Sequence, residues 1–170
     1  MRASVVLAGM LTAVALSLAA VIGIMFIDLD RLRGEESAGQ EALATARSVA
    51  VDMLSYDYRT IEQDFSRARV YTTGSLTQYY RDLGATLVPT VKRQRTVQEA
   101  TVAGAAVESA TSDRVEVLLF VNMGTVKTLP GERQPRRQVS QNRARLLMVK
   151  QDGRWLVAEL STLLGDPPPN

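Results

Sequence analysis

The chain has 170 residues, with 20 basic and 18 acidic side chains and a net charge of +2. That is enough for one domain and gives no polyelectrolyte character. It contains neither cysteine nor histidine, which excludes disulfides, thiolate nucleophiles and cysteine-type zinc sites, and removes the usual general base near neutral pH.

Any enzymatic chemistry would therefore fall to carboxylates, Tyr, Lys or Ser. A nucleic-acid-binding protein would present one dense basic face; the arginines here are spread along the chain, so no nucleic-acid partner is expected.

Residues 3–27, "ASVVLAGMLTAVALSLAAVIGIMFI", carry no charge. As a helix this run reaches about 37 Å at roughly 1.5 Å per residue, against a hydrocarbon core of about 30 Å. It has no polar face, as a soluble core helix would. Residues 1–29 therefore read as an N-terminal transmembrane anchor. The rival is a cleaved signal peptide. "SLAA" at 17–20 has the small residues of a cleavage site, but it lies in mid-run with further apolar residues after it. Arg2 precedes the span, and Asp28, Asp30, Arg31, Arg33, Glu35 and Glu36 follow it, so the flanking basic residues do not decide orientation. A very short tail ahead of a folded domain favours a cytoplasmic N-terminus and a C-terminal domain outside the cytoplasm, in a single-pass protein of the cell membrane.

Residues 30–41 are expected to form a stalk and the start of a helix, and residues 42–164 the folded domain. In the first helix Leu43, Ala46, Ala50 and Met53 share one face. Residues 55–57 break the pattern. Tyr58, Ile61, Phe65 and Ala68 then mark a second, short helix, with Asp57 placed to cap it. A third helix starts at Thr72 or Thr73, carries Leu76, Tyr80, Leu83 and Leu87 on one face, and is expected to end at Pro89.

Beyond Pro89 the period changes to two. Strands are expected over residues 97–108, 115–126, 138–150 and 154–160. The second, "VEVLLFVNMGTV", is apolar on both faces and reads as a central, covered strand. Asn122 interrupts it, as a polar point inside the fold or a bulge. Pro130-Gly131 marks a loop. In the third strand Val139, Gln141, Arg143, Arg145 and Leu147 fall on one side. Asp152-Gly153 closes a hairpin onto the last strand, and residues 165–170, "GDPPPN", form a proline-rich tail. Helices that precede a strand meander imply an α+β fold: a transmembrane helix, then three helices packed on a curved four-stranded antiparallel sheet.

That element order resembles the cone-shaped fold of the nuclear-transport-factor-two and ketosteroid-isomerase superfamily. Local sequence gives a closer likeness. "LSYDYRTIEQDFSRARVYTTGSL" at 54–76, "VLLFVNMGTV" at 117–126 and "RARLLMVKQDGRWLVAELSTL" at 143–163 resemble segments of the mammalian-cell-entry (Mce) associated membrane proteins of actinobacteria. With the N-terminal span they cover most of the chain in order, although each segment alone is unspecific. The resemblance implies an accessory subunit of Mce transport systems, which import lipids or sterols across the envelope. Its implied partners are a permease, an ATPase and Mce lipid-binding subunits, beside the membrane itself and a possible lipid. No catalysis and no cofactor are implied.

The run "SYDYRTIEQDF" at 55–65 invites an acid–base reading. Ketosteroid-isomerase relatives pair an Asp base with a Tyr oxyanion donor, and Asp57 with Tyr56 or Tyr58 is the nominal match. The structural reading takes Tyr58 and Phe65 as anchors of the short helix and Asp57 as its cap, and leaves Glu62 and Asp64 solvated; it is the reading adopted, with no catalytic, cofactor or metal residues. The structural signature residues are then Tyr56, Asp57, Tyr58, Phe65, Asn122 and Trp155. Trp155 is expected to close a sheet end, against the alternative of touching lipid or a partner. Arg133, Arg136 and Arg137 are the candidate contacts for an acidic partner or lipid headgroups, against a merely solvated loop.

Two functions follow: a non-enzymatic, membrane-anchored scaffold of a lipid importer, and a carrier or enzyme holding a small apolar ligand in the cone. A third class, secretion-system assembly factors, shares the anchor and the cone but not the local motifs.

Overall fold

The computed structural model describes residues 2–129, 131–132 and 134–163, and the side chains of these except at 2–15, 17, 19–21, 27 and 162–163. The expected proline-rich tail, Pro130 and Arg133 lie outside the described residues. The chain divides into two units, Met1–Ser37 and Ala38–Asn170.

The first unit is a single element, the opening part of α1 (Arg2–Leu54). Ile22, Ile24, Met25, Phe26, Leu29 and Leu32 are all exposed on it. Arg31 pairs with Glu35 at 2.9 Å and Arg33 with Asp30 at 3.6 Å, at ordinary helical spacing. Among the described residues no helix is long and apolar enough to cross a membrane. The expected anchor lies largely on residues whose side chains are outside those described.

α1 also replaces the expected stalk, because residues 30–41 are helical throughout. The stretch has no proline, and its three Glu, two Arg and one Leu favour helix enough to carry two glycines. Gly39 faces Ala110 and Val107 of the sheet, where a Cβ would find ordinary contact at 3.5 and 3.7 Å.

The second unit adds β1 (Tyr56–Asp57), α2 (Ile61–Val70), α3 (Gly74–Arg93), β2 (Val97–Ala110), β3 (Arg114–Lys127), β4 (Arg136–Gln151) and β5 (Arg154–Leu163). The strands form one antiparallel sheet in the order β1-β2-β3-β4-β5. The sheet thus has five strands, not the expected four. β1 is two residues long, Tyr56 opposite Gln98 and Asp57 opposite Val97, too short to leave a period in the sequence. Register shifts between Val102 and Gly104, between Val107 and Ser109, and between Leu147 and Met148 bend the strands and curl the sheet. Asp152 (φ 50°) and Gly153 (φ 76°) make the hairpin turn in the positive-φ geometry that two-residue hairpins require.

The core lies on one face of the sheet. Val115, Val117, Leu119 and Val121 alternate along β3, and Ala144, Leu146 and Met148 along β4. They meet Ala38, Ala42, Ala46, Val49, Ala50 and Met53 of α1 and Leu76 and Tyr80 of α3. β3 is central, as expected, but its second face is not fully covered: Phe120 stays 45% exposed. Arg145 stands opposite Leu118 and Arg143 opposite Phe120 on this face, where arginine stems are compatible with apolar neighbours.

α3 does not stop at Pro89 but runs on to Arg93. Pro89 and Ala85, whose carbonyl loses its helical donor, are both exposed, so water can take the freed acceptor. Val91, buried to 2%, extends the apolar face by one more turn. The helix ends in a Schellman motif: the Thr96 N–H donates to the Val91 carbonyl at 3.0 Å and the Arg95 N–H to that of Lys92 at 3.2 Å. Arg95 occupies the left-handed position at φ 47°.

Candidate functional site

The corner at residues 55–65 joins the end of α1, the edge of the sheet and the start of α2. The Ser55 hydroxyl accepts the Ala100 N–H at 3.0 Å, and Gln98 Nε2 donates to the Leu54 carbonyl at 2.8 Å. The Tyr56 hydroxyl donates to Gln98 Oε1 at 3.3 Å. Burial raises the Tyr56 phenol above its ordinary pKa.

Asp57 does not cap α2. The helix starts three residues later than its apolar spacing suggested, with Thr60 at the N-cap and no side-chain cap bond. The Asp57 carboxylate instead accepts the Arg59 N–H and Nε, each at 2.9 Å, and pairs with the Arg59 guanidinium. The hydrogen bond from Arg59 holds the Asp57 carboxyl below its ordinary pKa. Asp64 instead ties α2 to the turn ahead of it. Its Oδ2 accepts the Asp57 N–H at 3.1 Å and the Thr60 hydroxyl at 2.9 Å. Asp64 is therefore not the solvated acid its helical position suggested. Glu62 is, paired with Lys92 on the exposed surface.

The anchoring is aromatic, with one change from expectation. Tyr56 and Phe65 rings lie 6.4 Å apart, and Phe65 and Tyr80 rings 6.1 Å apart, a chain from β1 through α2 to α3. Tyr80 is buried, and its hydroxyl donates to the Met53 carbonyl at 3.2 Å. Tyr58 is only half-buried; its N–H donates to the Thr96 carbonyl at 3.0 Å and the Arg59 guanidinium lies 5.5 Å from its ring centre. Phe65 anchors α2 with Ile61 and Ala68, and Tyr56 takes the part expected of Tyr58.

This arrangement is poorly suited to acid–base chemistry. A base of the ketosteroid-isomerase kind is free to take a proton, with a tyrosine donor aimed at the same substrate atom. Here Asp57 is ion-paired, Asp64 accepts two internal bonds and Tyr56 donates to Gln98. The space beside Met53, Tyr56, Phe65 and Ala68 measures ≈ 10 Å³, about one water molecule. An open groove of ≈ 360 Å³ runs between α2 and α3 past Phe65, Tyr80 and Pro89. Among the described residues no group of three or more acids could hold a metal ion.

Trp155 is buried beside the β4–β5 hairpin, opposite Lys150. Its Nε1 donates to Glu41 Oε2 at 3.3 Å, Lys150 Nζ reaches the same oxygen at 2.9 Å, and Lys150 also lies 5.4 Å from the indole centre. The Lys150 hydrogen bond, then the Trp155 one, lowers the Glu41 pKa. Asn122 is half-buried on the outer face of β3, opposite Thr101 and Gln141 in unbroken register. It marks neither the inside of the cone nor a bulge. Arg136 and Arg137 open β4 and belong to strand, not loop; Arg136 pairs with Glu132.

Sequence reasoning missed Asp64, Gln98 and Glu41. Thr60 and Asp64, four residues apart at a helix start, were the one local signal. Gln98 and Glu41 act across 44 and 114 residues and left none.

A model of the family described as "Uncharacterized protein Rv1363c/MT1408-like" matches residues 3–160. "Outer membrane protein Rv1973" of Mycobacterium tuberculosis (strain ATCC 25618 / H37Rv) is 31% identical over 156 residues, 91% of this chain and 94% of that protein. "Uncharacterized protein Rv1362c" of the same strain is 27% identical over 128 residues. That match takes in 75% of this chain and spans only 56% of the relative's length. Among solved structures, an IcmL-like type IV secretion system protein from Legionella pneumophila superposes with a TM-score of 0.56 at 14% identity, over 75% of this chain and 94% of that one. An Ntf2-like protein involved in plasmid conjugation gives 0.51 at 16% identity, over 77% and 50%. At these identities the likeness is one of fold, and the fold is the expected cone.

Proposed function

The chain belongs to the Rv1363c/MT1408-like family, and from that premise we propose that it is a membrane-anchored, non-enzymatic scaffold of the bacterial envelope that works by docking other proteins. The observation that carries this reading is the corner at residues 55–65, where the chain's densest cluster of tyrosines and acids is consumed in joining helix to sheet. With those groups committed, what remains for function is the surface. The 25 uncharged residues at 3–27 support an N-terminal anchor, with the α+β domain on the far side of the membrane from a short cytoplasmic tail. The likeness in fold to proteins of secretion and conjugation systems agrees with a part in a multiprotein assembly.

The finer reading is an accessory subunit of an Mce-type lipid or sterol importer, in contact with its permease, ATPase and lipid-binding subunits. It rests on the sequence segments at 54–76, 117–126 and 143–163. A second reading, a carrier of a small apolar ligand, has one observation in its favour: the α2–α3 groove of ≈ 360 Å³ is of ligand size. A pull-down of the tagged full-length protein from native membranes in mild detergent separates them. Recovery of a permease, an ATPase and Mce subunits supports the finer reading. Recovery of other envelope proteins in fixed ratio keeps the scaffold and removes the Mce assignment. Recovery of the protein alone, with co-purifying lipid, favours the carrier.

A further inference from the structure

α1 carries an apolar stripe ahead of the part that packs on the sheet. Leu18, Ile22, Met25, Leu29 and Leu32 follow one another at intervals of four, three, four and three residues, the spacing of a seam between two helices. All five are exposed. Inside the uncharged run that exposure has a simple cover, because lipid can meet every face of the helix. Leu29 and Leu32 lie past the run, among Asp28, Asp30, Arg31 and Arg33. They are the only apolar side chains in residues 28–37, and both fall on the stripe. Leu32 stands about 7 Å of helix beyond Ile27, at roughly 1.5 Å per residue, and is 60% exposed.

The charges beside the stripe select its occupant. With Ile22 and Leu29 at the a positions of a heptad and Leu18, Met25 and Leu32 at the d positions, Asp28 falls at g and Arg33 at the following e. In two parallel helices in register, each g residue faces the e residue five positions on in the other helix. Asp28 of each copy then meets Arg33 of the other, and the symmetry makes two such pairs. Arg33 lies 3.6 Å from Asp30 of its own helix, with both side chains largely exposed, so its guanidinium is free to turn across the seam. Ile at a with Leu at d also favours two strands over three or four. Two chains anchored by the same N-terminal run in one bilayer point the same way, which leaves only the parallel arrangement. Two heptads hold soluble helices together weakly, but a shared bilayer confines the copies and raises their effective concentration. The seam stops at Glu36, the next a position, where two facing carboxylates repel; from Ala38 the helix is buried in its own domain core.

We infer that residues 18–33 of α1 join two copies of this chain side by side, in parallel, along the stripe from Leu18 to Leu32, with Asp28 and Arg33 exchanged across it. The pairing rests on the membrane anchor of the reading above and gives that scaffold its first partner, a second copy of itself.

The chain has no cysteine, so a disulfide between copies reports only a cysteine placed there on purpose. Full-length single-cysteine variants are oxidised mildly in native membranes. Bridging needs Cα atoms within about 7 Å, which facing seam positions reach and outward ones do not. Leu29→Cys and Leu32→Cys are expected to give disulfide-linked dimers, and Asp30→Cys, Arg31→Cys and Gly34→Cys are not. In the Leu29→Cys background, Asp28→Arg or Arg33→Asp alone should slow bridging about fivefold, and the two together should restore it. Equal bridging at all five positions, or none at 29 and 32, overturns the proposal, and so does a double reversal that fails to restore the rate. An alkaline wash of the same membranes tests the anchor separately. A chain that stays in the membrane without bridging at 29 and 32 keeps the anchor and loses the pairing; a chain released by the wash overturns the reading on which the pairing rests.

Discussion

The carboxylate of Asp64 accepts the main-chain N–H of Asp57 at 3.1 Å while also accepting the Thr60 hydroxyl. One half-buried acid on α2 thereby closes the turn that precedes its own helix. Asp64→Ala leaves both donors without this acceptor and is expected to lower stability by about 1–2 kcal/mol. Asp57→Ala removes only contacts to its neighbour Arg59 near solvent, and is expected to cost less. Thermal melts of the two variants side by side check the ranking; a larger loss for Asp57→Ala would overturn it.

Acid should disturb the far end of the sheet through Glu41. Its pKa is lowered in the folded state by Lys150 and Trp155. The stability it contributes is therefore present above the unfolded value, near 4.5, and is lost as pH falls through the lower folded value. Trp155 is the only tryptophan, so its fluorescence reports this directly. A change with its midpoint below 4.5 is expected, and Glu41→Gln should abolish it.

Alkali acts through Tyr80. Burial raises its pKa above the ordinary value of 10, so the folded state resists ionisation. The stabilisation is complete below the unfolded value and is lost as pH rises through the folded one. Denaturant midpoints should fall as pH passes 10. Tyr80→Phe should flatten that fall while costing about 1 kcal/mol at neutral pH, because the Met53 carbonyl loses its donor.

Arg95 holds a left-handed conformation at φ 47° at the end of α3. Glycine carries no Cβ penalty there, but loses more chain entropy on folding. Arg95→Gly is expected to raise stability by about 0.5 kcal/mol, read as a small increase in denaturant midpoint with an unchanged slope. A loss of stability would show that the Arg95 side chain contributes something its backbone geometry does not reveal.

The larger features were legible because they repeat. Ala46, Ala50 and Met53 on α1 and Val115, Val117, Leu119 and Val121 on β3 recur at the helical and strand periods, and all are buried. Asp152-Gly153 announced its hairpin through the one turn chemistry that fits. Features without a repeat were misread. β1 is two residues long, and Pro89 looked like a stop because its neighbours' exposure cannot be seen in a linear chain. At the corner the residue types were right and the partners wrong. Asp57 and Asp64 are both acids near a helix start, and only the path of the chain after Leu54 decides that Asp57 takes the Arg59 N–H and Asp64 the Asp57 N–H.

By itself, then, the sequence determined the order of elements, the absence of cysteine and histidine chemistry, and an uncharged N-terminal run long enough to span a bilayer. These depend on composition and on contacts between near neighbours. Only the tertiary structure decided that Gln98 holds Leu54 and Tyr56 and that Glu41 receives Trp155 and Lys150. Hydrogen-bond satisfaction is a property of groups that meet in space, and pairs such as Glu41 and Trp155, 114 residues apart, meet only after the sheet has curled around its helices.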